Sequence, residues 1–251
     1  MTEQKNNNGS YQDREHIDAV VACLTLFDDD LMSRVFDSNI KATELVLSII
    51  LGRDIKVISV IGQDNMKNAE VGGRNITLDV HAVDVDGEEM DIEVQGDSQG
   101  AYIRRARYHS SMIDSRMLKV GQSFKELKES YVIFIYKHDK FNKGLPLYHI
   151  ERYVGETEDK FEDGSHIIYV NGNYKGDDEV GKLMMDFHQT ASENMNYDVL
   201  AKGVEHFKEE KEGHDAMCEA VENYAKECVI KEKIAFVQNL ITNTNFTLIK
   251  R

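Results

Sequence analysis

The segment Arg74–Gln95, RNITLDVHAVDVDGEEMDIEVQ, holds two alternating runs joined by a turn. Strand side chains repeat every two residues. Ile76, Leu78, Val80 and Ala82 are therefore expected on one face of the first run, and Thr77, Asp79 and His81 on the other. In the second run Met90, Ile92 and Val94 share a face, opposite Asp91, Glu93 and Gln95. The turn decides the register. A two-residue loop at Asp86-Gly87 would pair Asp79 with Val94 and mix buried with polar faces. A three-residue loop, Val85-Asp86-Gly87, puts Gly87 at the left-handed position such loops favour. It pairs Asp84 with Glu88 and, counting back, Asp79 with Glu93, whose Cβ atoms would lie roughly 4.5–5.5 Å apart.

Two carboxylates that close repel unless they share a proton or a cation. A hard divalent ion with oxygen ligands satisfies them; a solvated polar sheet face is the alternative that spacing alone leaves equally open. A calcium loop built from Asp84, Asp86, Gly87 and Glu93 is rejected. Its first position would be Ala82, which offers no ligand, and its flanks alternate as strands.

The ordered set Asp79, then Glu93-Val94-Gln95, then Arg105-Ala106-Arg107-Tyr108, then Gly121 to Leu127 and the apolar run Tyr131–Tyr136 resembles the PD-(D/E)XK nucleases. The closer similarity is to their putative-transposase, or recombination-promoting nuclease, branch, which carries Glu-x-Gln. The segment FDDDLMSRVF and the helix bearing Glu44 fit the same pattern, which runs from Phe27 to Tyr136. Leu78 stands where the eponymous Pro would precede Asp79, a position that varies widely in the superfamily.

The resemblance implies an α/β fold, a restriction-endonuclease-like mixed sheet flanked by helices, with a helical C-terminal extension. It implies a divalent-metal-dependent DNA endonuclease that hydrolyses phosphodiesters, with Mg²⁺ or Mn²⁺ held by Asp79, Glu93 and the Val94 carbonyl. By the same resemblance Glu44 completes the acidic site. Gln95 stands where many relatives have Lys; an amide positions water but brings no charge. Arg105 is the expected site-facing or phosphate-binding cation, with Arg104 and Arg107 beside it to meet DNA. The alternative is a weak or inactive nuclease-fold module that acts by binding DNA or protein.

The 251 residues carry a net charge of −15, which is awkward for a partner of phosphate chains. The acid concentrates in Glu151–Asp163 and Glu205–Glu227, whereas Arg104–Lys128 is locally basic. No run approaches a membrane span, and the polar start does not read as a signal peptide. Cys23, Cys218 and Cys228 are odd in number and read as lacking metal-ligand spacing, which suits a reducing bacterial cytoplasm. The nine histidines show no HxxxH spacing and read as having no cysteine partner. They are assigned surface or packing roles, with His81 set apart because it shares Asp79's face.

Along the chain, residues 1–26 form a polar segment, disordered to about residue 15, with a short helix over Asp18–Leu26. Residues 27–175 form the nuclease-like core. Within it Lys41–Leu51 is a helix striped by Ala42, Leu45, Val46, Ile49 and Ile50 and stopped by Gly52. Ile55–Ile61 is a strand, Tyr102–Val120 a helix and Tyr131–Tyr136 a central strand buried on both faces; Leu147–Tyr153 and His166–Val170 add strands. Residues 176–251 are charged helices over Val180–Thr190, Asn196–Glu212 and His214–Gln238. The stripe Met217, Cys218, Val221, Tyr224, Ala225 and Cys228 needs a packing partner, within the chain, in a second copy or in another protein.

Overall fold

The structure, a computed structural model, describes residues 4–68, 70–96 and 102–243. Helices α1 (Gln4–Cys23), α2 (Asp29–Phe36) and α3 (Ile40–Leu51) lead into strands β1 (Val57–Met66), β2 (Ile76–Asp84) and β3 (Glu89–Gln95). Helix α4 (Ile103–Met117) crosses to β4 (Ser130–Tyr136), followed by β5 (Leu147–Ile150) and β6 (Ser165–Asn171). Helices α5 (Glu179–His188), α6 (Asp198–Lys208) and α7 (Lys211–Asn243) complete the described chain. The six strands form one mixed sheet in the order β1-β2-β3-β4-β6-β5. The β3–β4 and β4–β6 pairs are parallel and the others antiparallel.

Local chemistry explains the element ends. Asn39 accepts a hydrogen bond from the Ala42 N–H at 3.2 Å, and Gly52 at φ +64° stops α3, as a left-handed glycine after a helix does. All seven residues of β4 are buried, as a central strand covered on both faces requires. The β2–β3 register pairs Val80 with Ile92, His81 with Asp91 and Ala82 with Met90. Continued by one residue, it sets Asp79 opposite Glu93. Gly87 sits at φ +79°. Asp84 builds the turn, its Oδ1 accepting from the Asp86 and Glu88 N–H groups at 2.9 Å each.

The simple alternation expected of β2 fails at one point. Val80 and Ala82 belong to one apolar cluster and Ile76 and Leu78 to the other, so the even-numbered residues change face at Asp79. Strand β1 is irregular at the same point. Its ladder to β2 pairs Gly62 with Val80 and Asp64 with Leu78 but skips Gln63 and Asp79, and Gln63 has φ +51°. A positive φ at a non-glycine residue departs from regular strand geometry. The neighbouring Gly62 lets β1 approach α2, since a Cβ there would lie 3.0 Å from the Ser33 carbonyl oxygen.

Two layers cover the sheet. On one face Met90, Ile92, Val94, Tyr131, Ile133 and Ile135 pack against residues of α1, α2, α3, α5, α6 and α7. On the other, Leu78, Val132 and Phe134 pack against Ala106, Met112 and Ile113 of α4. The N-terminal segment corrects the expectation of disorder: helix begins at Gln4, and α1 packs along α7. Helix α4 stops at Met117 with Leu118 extended, so Val120, fully exposed before Gly121 at φ +90°, lies outside it. Of the C-terminal stripe, Met217 and Cys218 are buried in the first cluster and Val221 packs against it, while Tyr224 is 60% exposed. No helix among the described residues is long and apolar enough to cross a membrane.

Candidate active site

The change of face at Asp79 splits β2 from β3, and side chains replace the missing ladder bonds. The Asp79 N–H donates to Glu93 Oε1 at 3.2 Å, and the Val94 N–H donates to Asp79 Oδ2 at 3.0 Å. Amide and carbonyl of one strand residue point to the same edge, so the Val94 carbonyl faces the same gap. Asp91 and Glu93 follow on the α4 side, both buried completely, with Asp79 8% exposed.

Helix α4 supplies what faces these acids. Arg105 forms a salt bridge with Glu93 Oε2, and its Nε donates to His109 Nε2 at 3.3 Å. His109 Nδ1 lies 2.8 Å from Asp91 Oδ2 and 3.5 Å from Glu93 Oε1. Burial lowers the His109 pKa, against the pull of Glu93. A neutral ring that accepts at Nε2 carries its proton on Nδ1, so it donates to Asp91. Arg105 and His109 are one helical turn apart, which places both over the same strand.

Three acids face one guanidinium and one neutral imidazole, so the cluster is short of positive charge. Burial, then Glu93 and Asp29, pushes Asp79 up to about 8. Burial and Asp91 push Glu93 up to about 8, and burial with Asp79 raises Asp91 well above the carboxylate range. Asp91 Oδ1 is buried without a hydrogen-bond partner among the described residues, a cost of roughly 1–3 kcal/mol. Buried carboxyls that repel one another and leave an oxygen unpaired are stabilised by a neutralising cation. The donor set therefore fits a hard divalent ion. Asp91, Glu93 and His109 offer ligand atoms all within 4.8 Å of one another.

The same shifts predict a pH dependence of stability. Carboxyls whose folded pKa exceeds the unfolded value stabilise the fold fully below pH about 4, and that contribution is lost as pH rises toward 8. Without divalent ions the melting temperature should fall from pH 5 to 8. The slope should approach about 1.4 kcal/mol per pH unit for each carboxyl protonated only in the folded state. Calorimetry across that range checks it, and a flat profile would mean that the acids are not strained by their mutual charge.

A groove of about 1140 Å³ opens on the α4 side, with Asp79 and His109 in its lining and Arg74, Arg104, Arg105, Arg107 and Lys140 around them. Tyr102, 55% exposed, is part of the same wall. Arg104 and Arg107 are exposed, whereas Arg105 is half-buried in its bond to Glu93. Gln95 ends β3 beside Tyr136, on the Asp91–Glu93 face by alternation. His81, on the same face, bridges Asp64 (2.9 Å) and Glu89 (3.2 Å). Its burial is outweighed by these two acids, which raise its pKa.

Glu44 is not brought to this cluster. Its Oε1 accepts from the Val57 N–H at 3.0 Å, beside the far end of β2, where Val57 pairs with Asp84. Asp29, in the first turn of α2, is the acid that acts on Asp79 from outside the hairpin. Asp91, His109 and Asp29 were not singled out from the sequence. Asp91 was visible in the alternation, but His109 reaches the site only through packing, and Asp29 acts there through its charge.

A family model described as PD-(D/E)XK nuclease family transposase matches residues 37–179. The chain belongs to that family. The match takes in α3, the whole hairpin, α4 and the complete sheet, so the acid cluster lies inside the matched region. No significant match to the chain is found among curated proteins or solved structures.

Proposed function

We propose that this protein is a divalent-metal-dependent DNA endonuclease of the recombination-promoting type. The reading rests on the buried, charge-deficient carboxylates Asp79, Asp91 and Glu93, which open through Asp79 into a groove rimmed by arginines. Asp79, Glu93 and the Val94 carbonyl would hold Mg²⁺ or Mn²⁺, because of the acids only Asp79 lines the groove where a phosphate can reach. When bound, such an ion supplies charge for the phosphoryl oxygens and makes a water nucleophile available at neutral pH. Arg105 and His109 orient Glu93 and Asp91 from beneath, and Asp29 completes the acidic side in the place expected of Glu44. Gln95 holds the attacking water by hydrogen bonding. Arg104, Arg107 and Lys140 take the DNA backbone, a local basic face on an acidic chain.

Incubation of supercoiled plasmid with the purified protein in Mg²⁺, Mn²⁺ or EDTA tests the reading. Nicked and linear products in the metals alone support it. DNA that is bound but uncut in either metal would leave a binding module.

Two further outcomes are expected. Gln95→Ala should slow cleavage by roughly 10²–10³-fold, the usual loss for one preorganised donor, and Gln95→Lys should retain or raise the rate. Single-turnover rates decide this, and an unchanged Gln95→Ala rate would make the residue a bystander. Arg104→Ala and Arg107→Ala should each weaken DNA binding across sequences and reduce the log–log salt slope by about one. An unchanged slope in a fluorescence-anisotropy titration would move DNA off this groove.

A further inference from the structure

On the opposite layer of the molecule, α1 meets α7 through a set of mixed donors. Cys218 Sγ lies 3.5 Å from Asp18 Oδ1 and 3.6 Å from His214 Nδ1. The other ring nitrogen of His214 lies 3.8 Å from Asp18 Oδ1 and 4.0 Å from the sulfur. His214 and Cys218 stand one turn apart on α7, and Asp18 reaches across from a helix about two hundred residues earlier. This corrects the expectation that no histidine has a cysteine partner. The i, i+4 pair gains its third donor only by packing.

We propose that Asp18, His214 and Cys218 form a second metal site, for a borderline ion of the zinc class, that clamps α1 onto α7. A tetrahedral ion with Zn–S of about 2.3 Å and Zn–N or Zn–O of about 2.0–2.1 Å separates its ligands by roughly 3.3–3.6 Å. The sulfur lies 3.5 Å from the carboxylate oxygen and 3.6 Å from Nδ1, which match those separations. Ligation through Nε2, 4.0 Å from the sulfur and 3.8 Å from the oxygen, needs a contraction of about half an ångström. All three ligand atoms lie within 4.8 Å of one another. Thiolate with imidazole selects Zn²⁺ or Co²⁺ over Mg²⁺, so this site and the carboxylate cluster under α4 would not compete for one ion. Cys218 is buried, while Asp18 and His214 are half-buried, which leaves an entry path from the side. A groove of about 490 Å³ bordered by Arg14, Lys208 and His214 adjoins it and gives room for a non-protein fourth ligand.

As the metal–sulfur bond forms, the thiol proton passes to solvent, which is the protonation change any cysteine ligand requires. Without an ion, burial and then Asp18 push the Cys218 thiol up to about 11, so the metal-free site holds a thiol hydrogen-bonded to the carboxylate. The ion would join two helices distant in sequence and add its binding free energy to folding.

Cobalt is the probe. Co²⁺ titrated into the metal-stripped, reduced full chain should produce a thiolate-to-cobalt charge-transfer absorption in the near ultraviolet that saturates at one ion per chain. Zn²⁺ should abolish it by displacement. Cys218→Ser should remove the band, and His214→Ala and Asp18→Asn should each weaken the apparent affinity by at least about tenfold. Asp79→Asn, Cys23→Ser and Cys228→Ser should leave it unchanged, which separates this site from the acid cluster and from the other thiols. Absence of the band, or its survival in Cys218→Ser, would overturn the proposal. If circular dichroism shows Cys218→Ser to be unfolded, His214→Ala decides, because its half-exposed side chain can be removed without opening the core; wild-type affinity in that variant would also overturn it.

Discussion

Asp79→Asn is expected to abolish metal-dependent cleavage, by at least roughly 10³-fold, while the chain stays folded. Asn keeps the oxygen that accepts from the Val94 N–H and removes the negative charge that a divalent ion needs. Charge stabilisation by a metal is worth several kcal/mol in the transition state, and each 1.36 kcal/mol is a factor of ten in rate. Stability should move the other way. Asp79 is held up to about 8 by burial, Glu93 and Asp29, so its neutral replacement should be neutral or stabilising above pH 7, where the native carboxyl is forced to ionise. Glu93→Gln should lose cleavage to the same degree. It should not gain stability as cleanly, because the single amide oxygen cannot replace both carboxylate oxygens, which accept from the Asp79 N–H and from Arg105. Rates on plasmid and urea midpoints at pH 6 and 8 check both. Near wild-type cleavage by Asp79→Asn would place the chemistry elsewhere.

The hairpin was legible because its determinants are local: a period-two pattern, and a turn whose glycine needs positive φ. Register followed from those two facts, and so did the meeting of Asp79 and Glu93. The irregularity shared by Gln63 and Asp79 was not legible, since nothing in a glutamine announces a left-handed backbone. Arg105 was legible as a basic residue on the helix after the hairpin, but His109 read as one histidine among nine. Only the packing of α4 on the sheet, over β4 and β6, brings it to Asp91. Glu44 misled because an acid on a first helix is interchangeable on paper with Asp29; Glu44 accepts from the Val57 amide, while Asp29 acts on Asp79 only through its charge. The stripe from Met217 to Cys228 called for a partner, and the sequence could not say that part of it lay within the chain.

The second large effect is on stability. Phe187→Ala should destabilise the protein by roughly 3–5 kcal/mol, the range for deleting a buried aromatic ring. Phe187 is fully buried, with its ring 5.6 Å from Phe27 and 6.5 Å from Phe36. Those partners lie just before α2 and at its end, and Phe187 of α5 belongs to the same apolar cluster as the sheet residues. Against a typical net stability of about 5–15 kcal/mol, such a loss should shift the whole unfolding transition. Tyr224→Ala, on the exposed part of α7, should stay within about 0.5 kcal/mol. A Phe187→Ala loss below about 1 kcal/mol would mean that the C-terminal helices are docked loosely on the sheet.

The central claim is that the carboxylates beneath α4 are a cation site. Calorimetric titration of Mn²⁺ into the full chain at pH 8 tests it most directly, in a Cys218→Ser background so that the thiol contributes nothing. One ion should bind per chain, with protons released from the acids that burial and mutual repulsion keep protonated, so the measured heat should depend on the ionisation enthalpy of the buffer. Asp79→Asn and Glu93→Gln should each abolish the binding and the proton release. Binding of the same strength in both variants, or no binding to the parent chain, would contradict the account.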